Sequence, residues 1–237
     1  MAVAGGPSGE RTFRTGLEPL DSDSGGVPAG KLLIVSGEEK SGRTSLILQL
    51  CAIAASLGRK CFLIDPGSRM HISRLRAICD AWHADLTKIW ISSPRTLREQ
   101  TKFILRASEV AEAGSLIAVD SITYLYRLEL VGDLHLDRPK FMELAFELAS
   151  LKSVALNKNT LSVVVVDVHD VPATAPSVTR PVAENLLKHF ADFSMHLTNV
   201  SGDLKSLTYE LGPASGTLTV RTTFSGIAPA SRHPAVF

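Results

Sequence analysis

Apolar and polar residues alternate along this chain on two length scales. Short, nearly continuous apolar runs occupy positions 31–36, 60–65, 88–92, 116–120 and 161–168. Between them lie longer segments whose apolar residues recur at helical spacing. Runs this short and this apolar on both faces predict strands of a parallel sheet covered by helices on each side. The first helix is expected over 44–57, where Ile47, Leu50, Cys51 and Ala54 share one face and Gly58 provides a stop. Others fit 73–82, 97–113 and 140–156. Beyond Leu186 the pattern changes to simple alternation over 193–198, 205–211 and 217–224, with Gly212-Pro213-Ala214-Ser215-Gly216 as a turn between the last two. The fold class expected is α/β, with a mostly parallel central sheet flanked by helices and antiparallel strands at its C-terminal edge. Residues 1–14 hold too few apolar side chains to pack and are expected as a flexible tail. The core is expected over 15–228, with a second tail at 229–237.

Composition narrows the class. A chain of 237 residues with 45% hydrophobic and 21% charged positions can bury one large core. No apolar stretch approaches the ~20 residues of a membrane span, and the N-terminus has no apolar signal region. No membrane association is implied, and the expected location is cytoplasmic, or nuclear if the source has a nucleus. A formal charge of +1 gives no global attraction to nucleic acid, so any such contact must come from local loops. Cys51, Cys61 and Cys79 form no CxxC pair and are expected as reduced, buried thiols. The histidines show neither HxxxH nor HExxH spacing.

Chemistry concentrates after the first strand. Gly37-Glu38-Glu39-Lys40-Ser41-Gly42-Arg43-Thr44-Ser45 has the GxxxxGKT form of a P-loop with Arg43 in the lysine position. Its glycines let the backbone curl so that N–H groups and the helix end face a phosphate, and Thr44 is placed to hold Mg²⁺. A second motif, Leu116-Ile117-Ala118-Val119-Asp120-Ser121, is an apolar strand closed by a carboxylate. Asp120 would reach the same Mg²⁺ through water. The expected cofactors are therefore ATP and Mg.

At this point the chain resembles the RecA-superfamily recombinases, with a RecA-like P-loop core, and among them the short archaeal RadB-type paralogues of RadA. Thr15-Gly16, Leu20-Asp21, Gly25-Gly26 and Gly30 resemble the family's entry motif. The loop from Gly37 to Ser45 resembles its GExxxGKT, Val119-Asp120-Ser121-Ile122-Thr123 with Tyr126-Arg127 its VVDSIT…YR, and Arg180-Pro181-Val182-Ala183-Glu184 the KPVAE of RadB. The resemblance implies a core without the helical N-terminal DNA-binding domain of full recombinases.

Departures from the family pattern carry the main functional inference. Where the resemblance implies a glutamate that polarises water, this chain has Asp65-Pro66-Gly67-Ser68-Arg69, with Gly67 at the glutamate position. Where it implies Asn-Gln with a γ-phosphate sensor, the chain has Asp167-Val168. Arg43 replaces a compact ammonium with a longer planar guanidinium. A positioned general base is worth ~10²–10⁴ in rate, or about 3–5 kcal/mol of barrier. Hydrolysis is thus expected to be slow or absent while binding persists. No catalytic residue is assigned. Asp65 and Asp167 stand either as substitute bases or as local hydrogen-bond acceptors at strand ends.

The resemblance also implies two connections that face DNA, one following Tyr124-Leu125-Tyr126-Arg127 and running through Gly132 to Arg138, the other from His169 to Arg180. Arg127 and Arg180 are candidates for phosphate contacts and Tyr126 for base stacking on single-stranded DNA. Equally, Tyr126 could be core and Arg127 could pair with Glu129, Asp133 or Asp137. Phe146-Glu147-Leu148-Ala149 has the FxxA form by which recombinases dock, but its helix predicts core packing for it. The function expected is that of a recombinase paralogue acting as an accessory or mediator in homologous recombination and DNA repair, with a recombinase or another RecA-family paralogue as partner. The alternatives are an active DNA-stimulated or KaiC-like ATPase and an interaction module with a vestigial P-loop.

Overall fold

The computed structural model describes residues 12–170 and 179–230. In chain order its elements are β1 (Thr12–Phe13), α1 (Glu18–Ser24), β2 (Val27–Pro28), β3 (Lys31–Gly37), α2 (Arg43–Ser56), β4 (Cys61–Ile64), α3 (Ile72–Ala81), β5 (Ile89–Ser92), α4 (Leu97–Val110) and β6 (Leu116–Val119). They continue with α5 (Thr123–Glu129), α6 (Leu134–Lys158), β7 (Leu161–Asp170), β8 (Thr179–Pro181), α7 (Glu184–Phe190), β9 (Phe193–Ser201), β10 (Leu204–Leu211), β11 (Ala214–Thr223) and β12 (Gly226–Pro229). The main sheet has the order β12-β11-β10-β9-β3-β7-β6-β4-β5, with β8 paired on β7. From β9 to β5 neighbouring strands are parallel, and from β9 to β12 they form an antiparallel meander. This is the fold class expected.

Alternation inside the apolar runs divides the core in two. Leu33, Val35, Leu63, Ala118, Val163 and Val165 point to one side with α2 and α3, while Leu32, Ile34, Ile64, Ile117, Val164 and Val166 point to the other with α4 and α6. A strand buried on both faces must be apolar at every position, which explains the unbroken runs. Helix α2 is buried along Leu46–Ala55 on nearly all sides, since β12 and α3 pack over the face that the sheet leaves. Each fully buried leucine or isoleucine there contributes roughly 1.5–3 kcal/mol.

The entry segment is fastened by polar groups. Thr15 N–H and Oγ1 and Gly16 N–H all donate to the Asp21 carboxylate. Gln49 of α2, 1% exposed, donates from Nε2 to Thr15 O at 2.8 Å and accepts at Oε1 from Ile227 N–H at 2.8 Å. The entry segment and the last strand are thereby tied to the helix that follows the phosphate loop.

Several boundaries differ from expectation. Thr12 and Phe13, expected in the tail, are part of the fold: Phe13 is buried beneath Arg59 and β1 pairs with β2. Helix α6 begins at Leu134, six residues early, since Asp133 caps it by accepting from His135 and Leu136 N–H, and Pro139 sits inside it. The β10–β11 turn needs only Gly212 and Pro213, as Leu211 already pairs with Ala214. Helices α1, α5 and α7 and strand β12 are additional; each is short, from four to seven residues. All three cysteines are buried and free. No described helix is long and apolar enough to cross a membrane.

Candidate functional site

Strand β3 delivers the chain to Gly37 at the centre of the sheet, and α2 starts six residues later. At Gly37 φ is +150° and an added Cβ would lie 2.2 Å from Leu197 O, so the sharp exit against β9 requires glycine. The Glu38 carboxylate accepts from Asn199 N–H at 3.0 Å and Nδ2 at 2.8 Å, anchoring the loop to β9. Ser45 Oγ accepts from Arg74 at 3.0 Å. Two of the nine candidate side chains thus hold the loop, and Glu39 and Lys40 are exposed along its rim.

The inner surface of the loop is suited to an anion. Gly42 caps α2 without any side-chain cap bond, leaving the first-turn N–H groups and the positive end of the helix dipole open. Ser41 Oγ is buried with no hydrogen-bond partner. An orphaned hydroxyl beside an uncapped helix end is an arrangement that phosphate oxygens satisfy. Thr44 lies beside the Asp120 carboxylate and favours its charged form, so the two Mg²⁺ candidates are adjacent. Burial pushes the Asp120 carboxyl above its ordinary value, opposed by Thr44 and by the charges of Arg43 and Arg69.

Arg43 turns toward the end of β7. Its Nη1 donates to Val166 O at 2.7 Å and to Asp167 Oδ1 at 3.1 Å. Asp167 Oδ2 accepts from Ser121 Oγ at 3.3 Å and lies 3.8 Å from Arg127 Nη1. A cleft of about 300 Å³ opens here, and Arg43, Arg69, Arg127, Tyr124, Glu39 and Asp167 are among its lining. Arg69 lies over the Tyr124 ring, 4.6 Å from its centroid. At Gly67 φ is +85°, and an added Cβ would stand 2.3 Å from Tyr124 Cε1. Tyr124 therefore fills the space next to the position where the resemblance implies a glutamate. Asp65 is a local acceptor for the N–H groups of Arg69 and Met70.

The nucleic-acid candidates separate. Tyr126 is partly buried against the α4–α6 core, which favours its reading as a packing residue. Tyr126 and Arg127 belong to helix α5, so the connection to α6 is only Leu130–Asp133. Arg127 pairs with Asp167 rather than with nearby acids. Glu129 accepts from Leu97 N–H, Asp133 caps α6, and Asp137 holds Val131 and Gly132 N–H and Lys140. Arg180 lies on β8, paired with His169, and most of the second connection, 171–178, falls outside the described residues. Phe146 is 50% exposed, not core. It stands about 200° around α6 from the buried Leu144 and Leu148, on the opposite side. Arg69, Arg74 and Tyr124 were not singled out by sequence, and Arg69 alone had a signal, a cation two residues past Gly67.

Comparison with known proteins places this geometry. A family model described as Rad51 matches residues 11–213. A DNA repair and recombination protein RadB from Thermoplasma acidophilum is 28% identical over 155 residues, covering 64% of this chain and 65% of that protein. A RecA protein from Campylobacter fetus is 29% identical over 131 residues, covering 50% of this chain and 36% of its own length. The chain thus spans just under two thirds of the first relative and about a third of the second. The crystal structure of a RadB recombinase superposes with a TM-score of 0.74 at 24% identity, over 93% of this chain and 100% of that one, a likeness of fold.

Proposed function

We propose, from the premise that this chain belongs to the Rad51 family, that it is a recombination accessory protein which binds Mg-ATP as a structural ligand and turns it over little. The observation that carries this reading is the pairing of an open phosphate cradle with a blocked catalytic position. Ser41 Oγ and the uncapped start of α2 would be satisfied by an anion, whereas Tyr124 closes on Gly67 and no carboxylate stands there. The residues Gly37, Gly42, Arg43, Thr44 and Ser45 and their neighbours in the loop would hold the phosphates, and Thr44 with Asp120 the Mg²⁺. Bound ATP supplies charge and order at the loop. The protein's own residues position it, and Tyr124 fills the space beside Gly67, where the resemblance implies a base.

A core of this kind completes its site against a neighbouring protomer, which suits it to capping or joining another recombinase. Titration with a fluorescent ATP analogue, with and without Mg²⁺, followed by phosphate release, tests the first part. Tight Mg-dependent binding with turnover well below the ordinary enzyme range of ~1–10³ s⁻¹ is expected. DNA-stimulated turnover within that range would refute it. Co-purification from the native cell, repeated with Thr44→Ala, tests the second. A recombinase or paralogue should be recovered with the parent and lost with the variant; monomer alone would sink the mediator role.

A further inference from the structure

Asp167 stands where β7 leaves its pairing with β3, and its carboxylate is held from several sides. Oδ1 accepts from Arg43, Oδ2 accepts from Ser121 and faces Arg127 at 3.8 Å, and its own N–H donates to Thr123 Oγ1 at 3.1 Å. The Arg43 and Asp167 side chains are only 11% and 12% exposed. The guanidinium of the phosphate loop is therefore already neutralised by a carboxylate fixed in the wall of the same cleft. A diphosphate can be satisfied by loop N–H groups and the helix end, for which Asp167 does not compete. A third phosphate draws on the cation, and there it meets an incumbent negative charge.

Resting on the nucleotide reading above, we infer that Asp167 is the specificity-determining residue of this site. It is an internal counter-anion for Arg43, and it makes the protein hold nucleoside diphosphates at least as tightly as triphosphates. A terminal phosphate must either displace Asp167 from Arg43 or bind beside it. Once displaced, Asp167 has Arg127 within reach, so occupancy of the cleft also changes the charge presented by α5.

Isothermal titration of the full chain with Mg-ADP and with a non-hydrolysable Mg-ATP analogue, on the parent and on Asp167→Asn, tests this. The asparagine keeps the shape and the backbone bond and removes the charge. The parent should bind the analogue no tighter than ADP, and the variant should gain about tenfold for the analogue against less than threefold for ADP, the scale of removing one charge from a partly screened site. Binding of both nucleotides with a ratio unchanged by the substitution overturns the inference and leaves the nucleotide reading intact. Binding of neither by parent or variant overturns both. Thermal melts establish that the variant is folded. Should it not be, the parent's ratio decides, and a measurable preference of the parent for the triphosphate analogue defeats the role given to Asp167.

Discussion

Replacing Gly67 by alanine asks directly whether Tyr124 closes the position next to the phosphate cleft. Two costs follow from the geometry. A side chain at φ +85° adopts left-handed backbone, at roughly 1–2 kcal/mol. The new methyl would also lie 2.3 Å from Tyr124 Cε1, and forcing a ring aside typically costs about 1–3 kcal/mol. The ring also carries Arg69 at 4.6 Å, so its displacement loses that stacking as well. Gly67→Ala should therefore lose about 2–5 kcal/mol, a melting shift of roughly 4–20 °C for a domain of this size. Tyr124→Ala in the same background should recover the steric part and leave the backbone part, giving a coupling of about 1–3 kcal/mol in a double-mutant cycle read by urea denaturation. A Gly67→Ala protein within about 0.5 kcal/mol of the parent, or a coupling of zero, would refute the packing described. The functional corollary is that Gly67→Glu alone should not raise phosphate release, because the carboxylate has no room; only Gly67→Glu with Tyr124→Ala gives it space.

Glu147 is fully buried between α4 and α6, accepts from Gln100 Nε2 at 2.7 Å and Thr101 Oγ1 at 2.8 Å, and burial pushes its pKa up to about 8 from 4.5. The folded protein keeps this proton where the unfolded chain has lost it, so stability from this group is full below pH 4.5 and declines as pH rises to about 8. Glu147→Gln should thus gain on the parent as pH rises, reaching about 3–5 kcal/mol above pH 8; equal parent-to-variant differences at pH 5 and pH 9 in chemical denaturation would contradict this. Arg43→Ala should weaken nucleotide binding, whereas Arg43→Lys should restore little phosphate release, and robust turnover by the lysine variant would show that Gly67 and Val168 are not what limits the chemistry. Single-stranded DNA binding should be weak and fade with salt, and both Arg127→Ala and Arg180→Ala should reduce it in fluorescence anisotropy, Arg180→Ala without changing nucleotide affinity; parental binding by both variants would move the contact elsewhere.

The central sheet was legible because β4, β6, residues 32–35 of β3 and residues 163–166 of β7 are apolar without interruption, a pattern that follows from two covered faces. Helix boundaries were less so. Pro139 reads as a break, yet in α6 it removes a single N–H bond, and the Asp133 cap lies upstream of it. The Thr123–Glu129 stretch is one short helix whose formation depends on packing against α6 and β7, with Tyr126 on the α4–α6 core, information that local spacing lacks. Within the site, the loop's curl is encoded locally by glycines. The Arg43–Asp167 pair joins residues 124 positions apart, and the Gly67–Tyr124 closure is likewise tertiary. Neither has a local signature, although the replacements at 43, 67 and 167 were each visible one by one.

The amide of Gln49 has a consequence for measurement. Because its two ends bond Thr15 O and Ile227 N–H, the Ile227 amide proton is protected only while α2 keeps its place, although residue 227 belongs to the outermost strand of the meander. Opening at the phosphate loop and exposure of that proton are one event in this geometry, and a ligand that holds the loop closed slows both. Hydrogen–deuterium exchange at Ile227, whose side chain lies against Gly42, should therefore report occupancy of the cradle from its outer side, and a rate unchanged by saturating ligand would mean that α2 and β12 open independently.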